Sequence, residues 1–229
     1  MERDIAMVGF DLQRKNMVES QVRPSDVTDR RVISAMLDVP RELFVPEHLR
    51  VTAYMDQDLL LPGDVPGGGH RALLSPRLLA RMIQHLEIGD GETVLEVGTA
   101  TGYGAAILSR IAGKVVALES SAAFAQDARR AFAEVGAANV EVVVAPLKDG
   151  VPALAPFSAI LISGSVPRVP EALLDQLLDG GRLCVVEKRD GVGRLMQWRR
   201  TGSTFGCRAV MDAAAPELSD FALQPAFVF

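Results

Sequence analysis

The stretch VLEVGTATGYG, residues 94–104, constrains this chain more than any other. Strand-forming residues run into a glycine-rich turn and then into the alanine-rich AAILSRIA. The layout is strand, tight turn, helix, and a helix N-terminus behind a glycine turn is a place where nucleotides are held. Around it the hydrophobic pattern alternates. Residues 93–98, 115–119, 140–145, 158–163 and 182–187 read as strands. Residues 102–112, 121–135 and 170–178 read as helices, the second stopped at Gly136. This alternation predicts an α/β fold with a doubly wound, mostly parallel sheet.

The two ends of the chain differ from that middle. GRLMQWRR, FGCRAVMD and AFVF predict antiparallel strands closing one sheet edge. The first 75 residues read as a mostly helical lead-in, placed over the ligand crevice at the carboxyl ends of the strands. Within it, RPSDVTDRRVISAMLDVPREL predicts a helix started by Ser25, Asp26 or Thr28. That helix carries Val32, Ile33, Met36 and Leu37 on one face and is broken by Pro40 and Pro46. LPGDVPGGGHR, residues 61–71, reads as the one flexible stretch, and a helix follows from Pro76 to about Leu86. The expected division is a lead-in and substrate-side flap over residues 1–75 and a nucleotide-binding domain over 76–229.

Composition narrows the partners. An apolar share of 48% with positive mean hydropathy suits a buried parallel sheet. A net charge of −5 and a pI near 5.3 argue against a nucleic-acid partner, and Arg30-Arg31, Arg129-Arg130 and Arg199-Arg200 are isolated pairs rather than a basic stripe. Cys184 and Cys207 lack CxxC spacing and read as reduced packing residues. His48, His70 and His85 are scattered, so no metal site is expected. The charged N-terminus has no signal-peptide core, and no apolar run approaches the ~20 residues that span a bilayer. A cytoplasmic protein without membrane contact is the expectation.

The glycine spacing indicates which nucleotide. G-x-G-x-x-G fails when started at Gly98, because Ala100 takes the second glycine, and when started at Gly102, because Ile107 takes the last place. The spacing that fits is acid-x-Gly-x-x-x-Gly-x-Gly: Glu96, Gly98, Gly102, Gly104. A pyrophosphate near Glu96 would meet a like charge, costing roughly 1–4 kcal/mol at surface-like dielectric. S-adenosylmethionine instead brings a sulfonium and an ammonium, which a carboxylate favours. Glu119 ends the next strand, 21 residues after Gly98, where an acid accepts ribose hydroxyls. The expected cofactor site is therefore Glu96, Val97, Gly98, Thr99, Ala100, Thr101, Gly102 and Tyr103, with Glu119 and Ser120 from the second strand.

With these motifs in place the chain resembles the protein-L-isoaspartate O-methyltransferase family. NMVES, RVISAMLDVPRELFVPEHLR and AYMDQDL resemble its N-terminal signature. VLEVGTATGYGAAILSRIAGKVVALE is similar to its cofactor motif, and APFSAILISGSVPRVPEALLDQLLDGGRL to its later strand and helix. The resemblance implies a methyltransferase Rossmann fold, S-adenosylmethionine as cofactor with S-adenosylhomocysteine as product, and methylation of the carboxylate at isoaspartyl residues. It also exposes two departures. Family members place Thr-Ile-Ser two residues ahead of the proline that opens the helix; here Ala72, Leu73 and Leu74 stand there. Family members carry Gly-Asp-Gly after the third strand, its acid facing the adenine; here Ala145, Pro146 and Leu147 stand there.

Two residues thus compete for the acceptor position. Leu74 occupies the serine's place, and Ser75 could supply the hydroxyl through a one-residue shift, although Ser75-Pro76 also reads as a serine cap before a helix-opening proline. His70-Arg71 could clamp a substrate carboxylate or belong to a solvated loop. Tyr54 and Asp56 read as lining the entrance, and Tyr103 as packing under the cofactor. Three outcomes follow from these readings: an isoaspartyl methyltransferase acting on protein or peptide, a methyltransferase with another protein group or a small molecule as acceptor, or a non-catalytic cofactor-binding module.

Overall fold

The computed structural model describes residues 2–66 and 68–222, and their side chains from residue 9 onward. The C-terminal AFVF, expected as a strand, lies outside the described residues. The chain opens with α1 (Glu2–Met17) and a π turn (Val18–Val22), followed by α2 (Arg30–Asp38). Helix α2 starts later than expected. Asp29 is its cap, accepting from the Arg31 amide, because Gln84 Oε1 accepts the amides of Thr28 and Asp29 and holds them outside the helix. The Ser25 hydroxyl bonds back to the Gln21 carbonyl instead. Val32, Ile33 and Met36 are buried as the periodicity requires.

Two short strands, β1 (Leu59–Leu61) and β2 (Arg71–Leu73), pair antiparallel, so the glycine-rich stretch expected as a flexible loop is the connection of a hairpin. Helix α3 (Pro76–His85) follows directly. The main sheet then forms from β3 (Thr93–Val97), β4 (Lys114–Glu119), β5 (Val140–Val144), β6 (Phe157–Val166), β7 (Leu177–Arg189), β8 (Val192–Thr201) and β9 (Thr204–Asp212). Its order is β5-β4-β3-β6-β7-β8-β9, parallel from β5 to β7 and antiparallel through β8 and β9.

Period two divides the strand side chains between two cores. Val94, Val115, Ala117, Ala159 and Leu161 face a cluster covered by α2, α3, α4 (Tyr103–Ser109) and α5 (Ala122–Val135). Leu95, Val97, Val116, Leu118, Ile160 and Ile162 face the other cluster, covered by short turns, α6 (Glu171–Leu174) and the segment after β9. Helix α6 is shorter than the expected 170–178, because β7 begins at Leu177, which pairs with Phe157. Helix α5 ends as predicted, closed by Gly136 at a φ of 66°, and begins one residue later than predicted, with Ser121 as its cap. Cys184 is buried in the sheet, as expected, whereas Cys207 is exposed on β9 rather than packed.

The strand order reverses between β3 and β6, so the crevice for a ligand lies at their carboxyl ends. Everything below concerns that edge.

Candidate functional site

The glycine loop between β3 and α4 turns as its spacing predicts. Gly98 and Gly102 have φ of 76° and 96°, and Ala100, at 52°, is left-handed without being glycine. At Gly102 an added Cβ would stand 2.7 Å from Phe132 Cε1, so both space and backbone require glycine there. Thr101 Oγ1 donates to the Phe44 carbonyl at 2.6 Å and ties the loop to the lead-in. Val97, Thr99 and Tyr103 are buried.

Glu96 lies beneath this loop, on the face shared with α4. Its carboxylate accepts from Thr99 Oγ1 and Ser163 Oγ, both at 2.6 Å, and an added Cβ on Gly104 would overlap its Oε1. Burial pushes its pKa up to about 7, against the opposing pull of the hydroxyls and the Ala105 amide. The sequence places Glu96 against the positive charge of a ligand; the structure places it as the brace that holds the loop to β6. Ser163 was not anticipated, although a hydroxyl at the carboxyl end of an apolar strand is the available signal.

Glu119 closes β4 and is fully buried. Its oxygens accept the amides of Ala100, Ser120 and Ser121 at 2.8–3.0 Å and both bond Arg71 Nε, at 2.9 and 3.0 Å. Arg71 is therefore neither a loop residue in solvent nor a clamp on substrate; it is a buried partner of the acid that closes β4, delivered by β2. Its second arm reaches Ser120 Oγ at 2.8 Å and Asp220 at 2.9 Å. His70 beside it is exposed.

The segment after β9 runs along the same edge. The Ser165 amide donates to the Pro216 carbonyl and the Leu218 amide to the Ser165 carbonyl, and Ser165 Oγ donates to Ala215. Leu218 then lies over the crevice: a Cβ on Gly98 would be 3.2 Å from its Cδ1, and one on Gly164 would be 2.6 Å from its Cγ. Asp220 accepts from Ser120 Oγ at 2.6 Å as well as from Arg71. Phe221 is buried in one cluster with Leu147, which the sequence places at the adenine position; Pro146 is exposed.

The acceptor candidates separate clearly. Leu74 is in the core, 3% exposed, and its carbonyl accepts from buried Arg41 at 2.9 Å. Arg41 also donates to the Ala53 carbonyl and stacks 4.7 Å above the Tyr103 ring, so Tyr103 is a packing residue. Ser75 precedes α3 but its hydroxyl makes no capping bond, contrary to the capping expectation; its amide donates to Asp58 Oδ1 at 2.7 Å. Ser75 instead lines a groove of about 700 Å³ with Asp56, Asp58, Arg77, Arg81 and Met211–Ala214. Tyr54, expected at the entrance, is buried with its hydroxyl on Glu42, whereas Asp56 does border the groove.

Among the described residues no group of His, Cys, Asp or Glu is placed to hold a metal ion, and no helix is long and apolar enough to cross a membrane. Comparison with known proteins agrees with the geometry. The family described as Protein-L-isoaspartate(D-aspartate) O-methyltransferase (PCMT) matches residues 12–213. A protein-L-isoaspartate O-methyltransferase of Methanoculleus marisnigri is 42% identical over 75% of each chain. One from Rhodopseudomonas palustris is 37% identical over 94% of this chain and 83% of its own. Among solved structures, a protein-L-isoaspartate O-methyltransferase superposes with a TM-score of 0.79 at 26% identity, over 90% of this chain and 65% of that one. A Plasmodium falciparum protein described as a putative member, in complex with S-adenosyl-L-homocysteine, shares the fold with a TM-score of 0.73 at 18% identity, over 91% of this chain and 97% of its own.

Proposed function

The chain belongs to the protein-L-isoaspartate O-methyltransferase family, and from that premise we propose how its own residues serve the reaction. It is an S-adenosylmethionine-dependent methyltransferase that methylates the carboxylate of isoaspartyl residues in damaged protein, the first step of their repair. The cofactor, when bound, supplies an activated methyl group on a positively charged sulfur.

The donor set fits that cofactor. Glu119 is an acceptor fixed by three backbone amides at the carboxyl end of β4, where a ribose diol would lie, and Gly98 leaves the backbone of the loop approachable once Leu218 moves. Glu96 works indirectly, holding the loop's shape through Thr99 and Ser163. Leu147 and the backbone around it offer the base apolar contact in place of the expected acid.

The acceptor carboxylate, with a pKa near ~3.5–4, is ionised at neutral pH and needs no general base. The protein's task is alignment, which can contribute roughly 7–11 kcal/mol. The observation that carries our assignment is the hydroxyl of Ser75, buried, without a capping bond and lining the groove with Arg77. Ser75 Oγ donates to the acceptor carboxylate and Arg77, which also pairs with Asp56 at 3.4 Å, offsets part of its charge, while Leu74 stays in the core and touches neither. The cytoplasmic address expected from the sequence belongs to the same proposal.

Release of S-adenosylhomocysteine with an isoaspartyl peptide, with the matching aspartyl peptide and with no acceptor tests this reading. The isoaspartyl peptide alone should stimulate release. Ser75→Ala should lower kcat/KM ten- to a hundredfold, the loss of one charge-assisted hydrogen bond of about 1.5–3 kcal/mol, with stability nearly unchanged because no cap is removed. Equal stimulation by both peptides, or an unaffected Ser75→Ala variant, would contradict the assignment.

A further inference from the structure

We propose that residues 213–222 form an intramolecular strap that occupies the cofactor crevice and must be displaced before S-adenosylmethionine binds. This rests on the reading of that crevice as the cofactor site.

The strap follows the strand order across the carboxyl edge. It leaves β9 with the Ala213 amide on the Gly193 carbonyl, pairs with Ser165 at the end of β6, and reaches Ser120 at the end of β4. On the way it places a side chain at each part of the expected site. Leu218 covers Gly98 of the glycine loop, Asp220 pairs with Arg71 beside Glu119, and Phe221 joins Leu147 at the base position. An apolar group, a charged latch and an aromatic ring thus stand where the methionine, ribose and base would lie. Strap and cofactor exclude one another sterically.

Three further observations support a displaceable element rather than a fixed part of the core. The family match ends at residue 213, where the strap begins. Ser219 Oγ donates to the Gly68 carbonyl, in the connection of the β1–β2 hairpin, so the strap is tied to the segment that delivers Arg71. Half of its residues, 213, 215, 216, 219 and 220, are only half-buried, with 214, 217 and 222 exposed; Leu218 and Phe221 are its two buried anchors. A site closed in most molecules binds its ligand with an affinity reduced by the open fraction, so loosening the strap raises apparent affinity with no new contact.

Calorimetric titration of S-adenosylhomocysteine into the full chain and into Leu218→Ala, Asp220→Asn and the double variant tests this. The double variant should bind at least tenfold more tightly than the parent. Hydrogen exchange on the unaltered chain gives a second reading independent of how the variants fold: at saturating S-adenosylhomocysteine the amides of 216–220 should lose protection while those of 98–102 gain it. Equal affinity in parent and variants, or strap amides that keep their protection on binding, would overturn the strap and leave the cofactor site standing. Absence of binding by every variant would overturn the cofactor reading of the crevice and the strap with it.

Discussion

Glu96 is a carboxyl group with 1% of its surface exposed, and two hydroxyls and an amide do not fully compensate its burial. Its pKa, raised from 4.5 to about 7, means the folded chain holds a proton there that the unfolded chain has released. The stability it contributes is complete below about pH 4.5 and is lost as the pH rises through about 7. Glu96→Gln keeps the shape and removes the titration. The stability difference between variant and parent should therefore shift in the variant's favour by about 3 kcal/mol between acid and mildly alkaline pH, read by denaturant unfolding at each pH. A difference that does not change with pH would show that the carboxyl titrates normally. Asp58, which lines the Ser75 groove, is also held above the ordinary carboxylate range by burial, against the pull of the Ser75 amide.

At the scale of elements, the junction of β2 and α3 puts Leu74 in the core and Ser75 on the groove. Because Leu74 faces the core, Leu74→Ser does not restore a hydroxyl to the site; it leaves a cavity and buries a polar group. It should cost about 3–5 kcal/mol and lower Tm by roughly 10 °C without raising isoaspartyl methylation. A thermal melt and a turnover assay check both halves, and a tenfold gain in turnover at unchanged Tm would place residue 74 on the acceptor. This junction also marks the boundary of what the sequence makes legible. The strands from β3 to β9, the glycine loop and the ends of α5 can be read because each is local: apolar runs of period two, left-handed glycines, Ser121 and Gly136. The hairpin cannot, since each strand has three residues and its connection holds consecutive glycines. Nor can the late start of α2, which depends on Gln84, or the burial of Arg71, whose carboxylate partner is 48 residues away. The hydroxyl of Ser75 follows the same rule: its local pattern is that of a cap, and nothing local shows that it makes no capping bond.

Across the whole molecule, the carboxyl edge of the sheet is built from four distant parts of the chain: the lead-in at Phe44, the hairpin at Arg71, the glycine loop, and the segment after β9. The sequence predicts a helical lead-in over residues 1–75 near that edge, but not the hairpin, and not the last segment, because AAAPELSDF carries no periodic signal. Its arrival joins the crevice at the glycine loop to the Ser75 groove, since Ala213 and Ala214 line the groove while Leu218 covers Gly98. The central claim is that this crevice, closed by the strap in the structure, is the cofactor site. A crystal structure of the full chain with S-adenosylhomocysteine tests it most directly. The ribose hydroxyls should lie on Glu119 and the methionine end against Gly98–Gly102, with Leu218 displaced from over Gly98. Ligand bound elsewhere, with Leu218 still covering Gly98 and Arg71 still holding Glu119 and Asp220 together, would contradict it.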